Sequence, residues 1–161
     1  ADGLTVDVVL HDGDVLVESY AILDALDEMA GDNRLTPASG AARRNVMKVT
    51  AVGAGAIDKT IWAVYELRFH EKEHASRSWV EHNEAQAVGG FEWLNGLAEK
   101  AGDGWLCGDS VTQADVTAAV GFTFANKVRP KLDLPNKFPA LAAHNARAEA
   151  LDSFKNVPLP G

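Results

Sequence analysis

The sequence predicts an α+β chain in which a β-hairpin and one helix precede an all-α helical bundle. Two short apolar runs, residues 8–10 and 15–17, flank an Asp-Gly pair close to the N-terminus. An Asp-Gly pair between such runs is the strongest short-range hairpin signal, because both turn residues of the tightest loop take positive φ. Beyond residue 19 the apolar residues recur at spacings of three and four, which is the period of a helix.

The second hairpin strand is predicted to lead directly into a helix that begins at Ser19. Serine is a favourable N-cap residue, because its side chain can accept a hydrogen bond from a free main-chain N–H. Free N–H groups and the positive end of the helix dipole attract anions. The sequence therefore predicts a site for a carboxylate or a phosphate beside Ser19, with a simple helix cap as the alternative.

The composition limits the classes of partner. The chain has 161 residues, a net charge of −8 and one cysteine. Its acidic balance argues against a nucleic acid or an anionic membrane surface as a partner, and no apolar run approaches the roughly 20 residues that span a bilayer. A single cysteine forms no internal disulfide. We expect a cytoplasmic protein.

Because a two-stranded hairpin is only marginally stable alone, we also expect residues before Ala1.

Four further helices are predicted after a polar linker at residues 32–40. The first is long and covers residues 41–69; the others cover residues 79–101, 112–126 and 138–150. The long helix has two adjacent apolar stripes, which predicts burial on two sides. Their members are Val46, Val49, Gly53, Ile57, Thr60, Val64 and Leu67 in one, and Met47, Ala51, Ala54, Ile61 and Tyr65 in the other.

Small residues in the long helix predict a close helix contact. Gly53 and Gly55 each cost about 1 kcal/mol of helix propensity relative to alanine. We expect them to let another helix approach closely, either within the chain or across a subunit interface.

Thr112 and Asp115 have the spacing of a capping box. The threonine hydroxyl can cap the N–H of Asp115, while the carboxylate reaches back to the N–H of Thr112. Val111 and Val116 occupy the positions of a hydrophobic staple around this pair. We therefore predict a structural role, with Thr112→Ala costing about 1 kcal/mol of stability.

Residues 70–74 match the zinc-protease pattern H-E-x-x-H, with His70 and His74 four positions apart. On a helix both imidazoles would share one face, as a zinc site requires. The segment is very polar, however, and lies where the long helix is predicted to end. A solvated turn is the favoured interpretation, and no metal is predicted. Cys107 has no basic neighbour, so it is predicted to be inert.

Three motifs together resemble those of the glutathione S-transferase family, in its bacterial cytosolic form. Residues 12–22 read Asp-Gly-Asp-Val-Leu-Val-Glu-Ser-Tyr-Ala-Ile, residues 105–115 read Trp-Leu-Cys-Gly-Asp-Ser-Val-Thr-Gln-Ala-Asp, and residues 138–141 read Phe-Pro-Ala-Leu. The resemblance implies the C-terminal half of a thioredoxin-like domain at residues 1–31, a linker at 32–40 and an all-α domain at 41–161. It also implies a twofold homodimer that serves in detoxification.

The resemblance implies a glutathione site as well. In this family the Glu-Ser pair at the helix start holds the γ-glutamyl end of glutathione, which assigns that role to Glu18 and Ser19. The cysteinyl part pairs with a backbone group, here that of Thr5 or Val6. No metal takes part, and glutathione is a substrate.

The same resemblance places the pocket for the electrophilic co-substrate along the long helix. Trp62, Tyr65 and Phe69 near the end of that helix are the candidates for its lining. For Trp62, core packing is an alternative interpretation.

The sequence departs from the family pattern in two places. The activating Ser, Tyr or Cys of the family lies before the hairpin, in a part that this sequence does not contain. The family's cis-proline falls at Val6, or at Asp7 in a register one residue shorter. Because a non-proline cis bond costs about 2.5–4 kcal/mol, we predict a trans peptide there.

Two functions are therefore compatible with the sequence. One is a transferase that conjugates the glutathione thiolate to a small electrophile or reduces a peroxide, with its activating residue outside this sequence. The other is a non-catalytic binding or assembly module of the same fold.

Overall fold

The computed structural model describes residues 7–157. A hairpin is followed by seven helices, and short 3-10 turns occupy Gly31–Asn33 and Pro130–Leu132. The elements are β1 (Asp7–Val9), β2 (Val15–Val17), α1 (Ser19–Ala30), α2 (Gly40–Phe69), α3 (Arg77–Ala101), α4 (Gln113–Val128), α5 (Leu134–Lys137), α6 (Pro139–Glu149) and α7 (Asp152–Lys155). The predicted order of a hairpin, a helix and then a helical bundle is confirmed, and the four predicted bundle helices end within about two residues of their expected limits.

The two strands pair antiparallel, and their loop is longer than the predicted two-residue turn. Leu10 N–H donates to the Asp14 carbonyl at 2.8 Å, and Gly13 N–H donates to the Leu10 carbonyl at 2.9 Å. Gly13 takes φ of 90°, whereas Asp12 is not among the positive-φ residues of the described chain. The prediction that both turn residues have positive φ is wrong, because a three-residue loop needs only its last residue in that region.

Helix α2 is the central element of the bundle. It packs along α3 on one side and along α4 on another, and α6 packs across both α3 and α4. Val46 and Val49 of the first stripe are buried in this core, together with Phe91 and Phe122, whose rings meet edge to face at 6.0 Å. At the other end of the stripe, Leu67 is 44% exposed. The bundle therefore contains the main hydrophobic core of the described chain.

Helices α2 and α4 approach each other closely at glycines. A Cβ atom added at Gly53 would lie 3.2 Å from Thr117 Cγ2, and one added at Gly121 would lie 2.8 Å from Ile57 Cγ1. The close contact predicted for Gly53 is thus made with α4 of the same chain. Around Gly55, by contrast, a Cβ would meet nothing within 4 Å.

We predict that Gly121→Ala lowers the free energy of unfolding by about 1–2 kcal/mol. Overpacking a close contact costs about 1–3 kcal/mol, and the better helix propensity of alanine returns up to about 1 kcal/mol. Gly89→Ala in α3 is the matched control, because nothing lies within 4 Å of its added Cβ. Urea unfolding followed by circular dichroism measures both. Equal stabilisation of the two variants would contradict the close approach.

Polar contacts fix α1 to the linker and to α2. Both oxygens of the Asp27 carboxylate accept main-chain N–H groups, from Leu35 at 2.7 Å and from Thr36 at 2.9 Å. Arg43 of α2 forms an ion pair with Asp24 of α1 at 2.9 Å. These bonds hold α1 so that its first turn faces α2 and α4.

A buried polar cluster fixes the start of α4. The predicted capping box of Thr112 and Asp115 is present. The fully buried Asp115 carboxylate accepts hydrogen bonds from Thr112 N–H at 2.9 Å, from the Thr112 hydroxyl at 2.7 Å, from Leu106 N–H at 2.8 Å and from His144 Nε2 at 2.9 Å. Burial alone would raise the pKa of Asp115, but these bonds outweigh it and lower the pKa below its usual value.

His144 reaches this cluster from α6. Its ring is fully buried and stands edge-on to Trp105 at 5.7 Å. Because a carboxylate can only accept, Nε2 carries the proton of the bond to Asp115. The pair therefore ties α6 to the start of α4.

Among residues 7–157, no helix combines the length and the apolar character that crossing a bilayer requires.

Candidate functional site

The start of α1 differs from the predicted helix cap. The N-cap is Glu18, with φ of 72° and ψ of 138° and no capping bond from its side chain, and Ser19 is the first helical residue. The prediction that Ser19 is the N-cap is wrong, because the chain leaves β2 at Val17 and turns into the helix within Glu18 alone. The first N–H bonded along the helix is that of Ile22, to the Glu18 carbonyl at 3.2 Å. The N–H groups of the three preceding helical residues therefore point out of the helix end.

Glu18 has a strained backbone. Residues other than glycine rarely adopt positive φ, and doing so costs about 1–3 kcal/mol. Asp133, at φ 54° and ψ 42°, is the other such residue in the described chain, and aspartate tolerates that region well. A glutamate has no such local advantage. Strain of this kind is typical of functional positions. The surface beside Glu18 and Ser19 is therefore a candidate functional site.

A cavity of about 420 Å³ lies at this helix start. Glu18 and Ser19 form its polar end, and both side chains are exposed. Its walls come from α1, α2 and α4, and they include Tyr20, Leu23, Thr50, Ala54, Ile57, Asp58, Ile61, Gln113, Val116, Thr117 and Val120. An anion-attracting helix end thus opens onto a largely apolar chamber.

The second apolar stripe of α2 faces this region. Met47 is 49% exposed, and Ala54 and Ile61 are partly buried. The prediction that α2 is buried on two sides is wrong for this stripe. The bundle does not cover it, and α1 crosses it at a distance that leaves the cavity between them.

A smaller cavity of about 330 Å³ adjoins the first and lies between α1, the linker and α2. Tyr20, Leu23, Thr50 and Gln113 line both cavities. The Thr50 hydroxyl is buried without a hydrogen-bond partner in the described chain.

Tyr20 and Asp58 are site residues that the sequence interpretation missed. They lie on different helices, and both line the larger cavity. Partial burial raises the pKa of the Tyr20 phenol, and the negative charge of Asp58 raises it further. Their positions in the sequence could have identified them. Tyr20 directly follows Ser19, and Asp58 lies one helical turn beyond Ala54 on α2.

The predicted co-substrate residues do not line the larger cavity. Trp62 is 54% exposed, so its alternative interpretation as a core residue is wrong. On α2, Trp62 lies one turn beyond Asp58, and Tyr65 lies one turn beyond Ile61. The Tyr65 and Phe69 rings meet edge to face at 5.2 Å. The three aromatic side chains therefore continue the cavity-facing surface of α2 toward its C-terminal end.

Thr5 and Val6, the predicted partners of the cysteinyl part of glutathione, lie outside the described residues. The same holds for the peptide bond at the position of the family's proline.

The zinc-like motif does not form a helical pair. Helix α2 ends at Phe69, and the two histidines lie in the turn before α3. His70 and His74 each face a nearby glutamate at 3.5 Å instead of each other. Within residues 7–157, no three or more potential metal ligands come together.

Cys107 is not an activated thiol. Burial raises its pKa, and the negative charge of Asp115 raises the pKa further. The thiol therefore stays protonated and unreactive at neutral pH.

Comparison with known proteins identifies a family domain and a fold. The family model described as "Glutathione S-transferase, C-terminal domain" matches residues 77–147, which run from the start of α3 to near the end of α6. No curated protein matches the sequence of the chain.

Many solved structures share the fold, and three of them illustrate the likeness. A glutathione transferase family member from Pseudomonas fluorescens, solved with S-(propanoic acid)-glutathione, is 22% identical with a TM-score of 0.86, over 96% of this chain and 77% of that chain. A glutathione S-transferase from Methylobacterium radiotolerans, in complex with glutathione sulfonate, is 27% identical with a TM-score of 0.83, over 96% and 72%. One from Methylobacillus flagellatus with bound glutathione is 25% identical with a TM-score of 0.86, over 93% and 73%. These likenesses confirm the predicted fold class.

Proposed function

We propose that the chain, whose residues 77–147 match the model of the glutathione S-transferase C-terminal domain, is a member of that family and binds glutathione at the start of α1. The γ-glutamyl end of glutathione carries an ammonium group and a carboxylate on one carbon. The Glu18 carboxylate binds the ammonium group. The Ser19 hydroxyl and the free N–H groups of the first helical turn bind the carboxylate, as helix starts do for anions. The observation that carries the proposal is this strained, exposed Glu-Ser corner at the polar end of a cavity.

The solved relatives support this assignment. The protein from Methylobacillus flagellatus holds glutathione, and that from Methylobacterium radiotolerans holds glutathione sulfonate. The larger cavity then receives the group that reacts with the thiol.

In the proposed reaction, the glutathione thiolate attacks a small electrophile or a peroxide held in the cavity. A new bond forms from the sulfur to the attacked atom, and the leaving group departs with its electron pair. The apolar walls of α2 and α4 hold the co-substrate, and Trp62, Tyr65 and Phe69 extend this surface outward. We assign no residue of this sequence to thiol activation. Such a reaction fits a cytoplasmic detoxification enzyme.

The assembly and the domain division are part of the same proposal. Residues 1–31 belong to a thioredoxin-like unit, residues 32–40 link it to the bundle, and residues 41–161 form the all-α unit. Two copies form a twofold homodimer. Sedimentation velocity tests the dimer, which predicts a mass of twice 17.2 kDa; a single species at 17.2 kDa would contradict it.

A non-catalytic binding or assembly module is the second candidate, because Val6 or Asp7 stands where the family has its cis-proline. Turnover separates the two. The assay uses a protein that includes the activating segment, which the transferase hypothesis places before Ala1. The transferase predicts conjugation of 1-chloro-2,4-dinitrobenzene above the uncatalysed rate, whereas a module binds glutathione and leaves that rate unchanged.

We predict that Ser19→Ala weakens glutathione binding by about tenfold to a hundredfold. The variant removes one hydrogen bond to a charged group, which contributes about 1.5–3 kcal/mol. Isothermal titration calorimetry with glutathione measures the loss.

Ser39→Ala is the matched control for this variant. Ser39 is the N-cap of α2, is exposed and makes no capping bond from its side chain, and it does not line the larger cavity. Its replacement leaves the affinity unchanged. Equal affinities of the two variants would refute the role of Ser19.

A further inference from the structure

The ionic groups of the larger cavity are all of one sign. Of the described residues that line it, Glu18 and Asp58 are the ones with ionic side chains, and both are acidic. The cationic residue of the adjoining cavity, Arg43, is already paired with Asp24 at 2.9 Å. Residues 7–157 therefore offer no unpaired side-chain cation in this chamber to a negatively charged guest.

The two carboxylates have different roles once glutathione is bound. Under the proposed function, on which this inference rests, the ammonium group of glutathione neutralises Glu18. Asp58 lies on α2 between Ala54 and Ile61, among the apolar residues of the cavity wall. Among the described residues that form this wall, no cation then pairs with the Asp58 carboxylate.

We propose that Asp58 is a specificity-determining residue that selects uncharged or cationic electrophiles and rejects anionic ones. The apolar side chains Ile57, Ile61, Val116 and Val120 bind the hydrocarbon part of the co-substrate. A cationic substituent is attracted to the Asp58 carboxylate, whereas a carboxylate substituent is repelled. Two unit charges a few ångströms apart interact appreciably even at a partly hydrated site.

Three glutathione conjugates of nearly equal size test the proposal. They are S-benzylglutathiones with a carboxamide, a carboxylate or an aminomethyl group at the para position. S-methylglutathione is the fourth ligand and reports on the glutathione site alone. Isothermal titration calorimetry at low salt, where exposed charges are least screened, gives the four dissociation constants.

We expect the carboxylate conjugate to bind about tenfold more weakly than the carboxamide, and the aminomethyl conjugate to bind at least as tightly as the carboxamide. In Asp58→Asn, the ratio of the dissociation constant of the carboxylate conjugate to that of the carboxamide conjugate falls from about tenfold to below about threefold. Asp103→Asn, an equal change of charge at an exposed turn outside the cavity, keeps the full ratio. Because the Asp58 side chain is exposed, the variant is expected to fold, and its circular dichroism spectrum checks this.

The outcomes separate the two proposals. If S-methylglutathione binds and the three conjugates bind equally, charge selection by the cavity is refuted while the glutathione site stands. An undiminished ratio in Asp58→Asn refutes the role of Asp58. If none of the four ligands binds, the proposed function fails and this inference fails with it.

Discussion

Asp115→Ala lowers the free energy of unfolding at pH 7 by about 3–5 kcal/mol, because each of several buried donors that loses its acceptor costs about 1–3 kcal/mol. The variant removes a buried carboxylate that accepts four hydrogen bonds, and it leaves the buried Nε2–H of His144 without its acceptor. The variant thus loses the hydrogen bonds that cap the start of α4 and also the hydrogen bond from α4 to His144 of α6. Urea unfolding followed by circular dichroism at 222 nm measures the change.

Asp109→Ala is the control for this variant, because Asp109 is an exposed aspartate of the same loop. A surface substitution of this kind changes stability by less than about 0.5 kcal/mol. If the two variants lost similar stability, the buried cluster would not have the role that its hydrogen bonds indicate.

The same cluster gives stability a defined pH dependence. The pKa of Asp115 is lower in the folded chain than in the unfolded chain, so the unfolded state binds the proton more tightly. The contribution of Asp115 is therefore fully present above the unfolded value of about 3.9, and it is lost as the pH falls through the folded value. Asp115→Asn has no carboxyl group to titrate, so it loses less stability than the parent chain between pH 5 and pH 2. An identical loss in both chains would contradict this prediction.

Glu18→Gly has opposite effects on stability and on binding. Glycine adopts positive φ without steric cost, but it also raises the conformational entropy of the unfolded chain. The relief of strain is the larger effect, so we expect the free energy of unfolding to rise by about 1 kcal/mol. Removal of the carboxylate takes away the partner of the glutathione ammonium group, so binding weakens about tenfold or more. Thermal unfolding and isothermal titration calorimetry measure the two effects.

Asp133→Gly is matched to this variant, because Asp133 is the other non-glycine residue with positive φ in the described chain and lies outside the cavity. We expect unchanged affinity for glutathione. If Glu18→Gly destabilised the chain, or if it kept the parent affinity, the strain at Glu18 would not serve ligand binding.

Local signals in the sequence were sufficient for the hairpin and the five longer helices, but not for the short helices α5 (Leu134–Lys137) and α7 (Asp152–Lys155). The hairpin and the helices follow from periodicity and turn residues, and the box of Thr112 and Asp115 follows from a spacing of three. These features depend on neighbours within one or two turns. The same local reasoning placed the helix cap at Ser19 instead of Glu18, because the backbone strain at Glu18 comes from the tight junction with β2.

Features that depend on distant residues were not predictable in this way. His144 had no visible partner in the sequence, yet it bonds to Asp115, 29 residues earlier. Tyr20 and Asp58 line one cavity only because the Asp27 and Arg43 contacts hold α1 against α2. The second stripe of α2 was predicted to be buried for the same reason. Periodicity identifies the apolar face of a helix, but it does not show which element packs on that face.

An amide-detected NMR titration with glutathione examines the proposed site atom by atom. If the start of α1 binds the γ-glutamyl carboxylate, the largest shifts are those of the N–H groups of Ser19, Tyr20 and Ala21, and they saturate together with a single dissociation constant. Saturating shifts confined to other parts of the chain, or no shifts at millimolar glutathione, would show that this helix start does not hold the peptide.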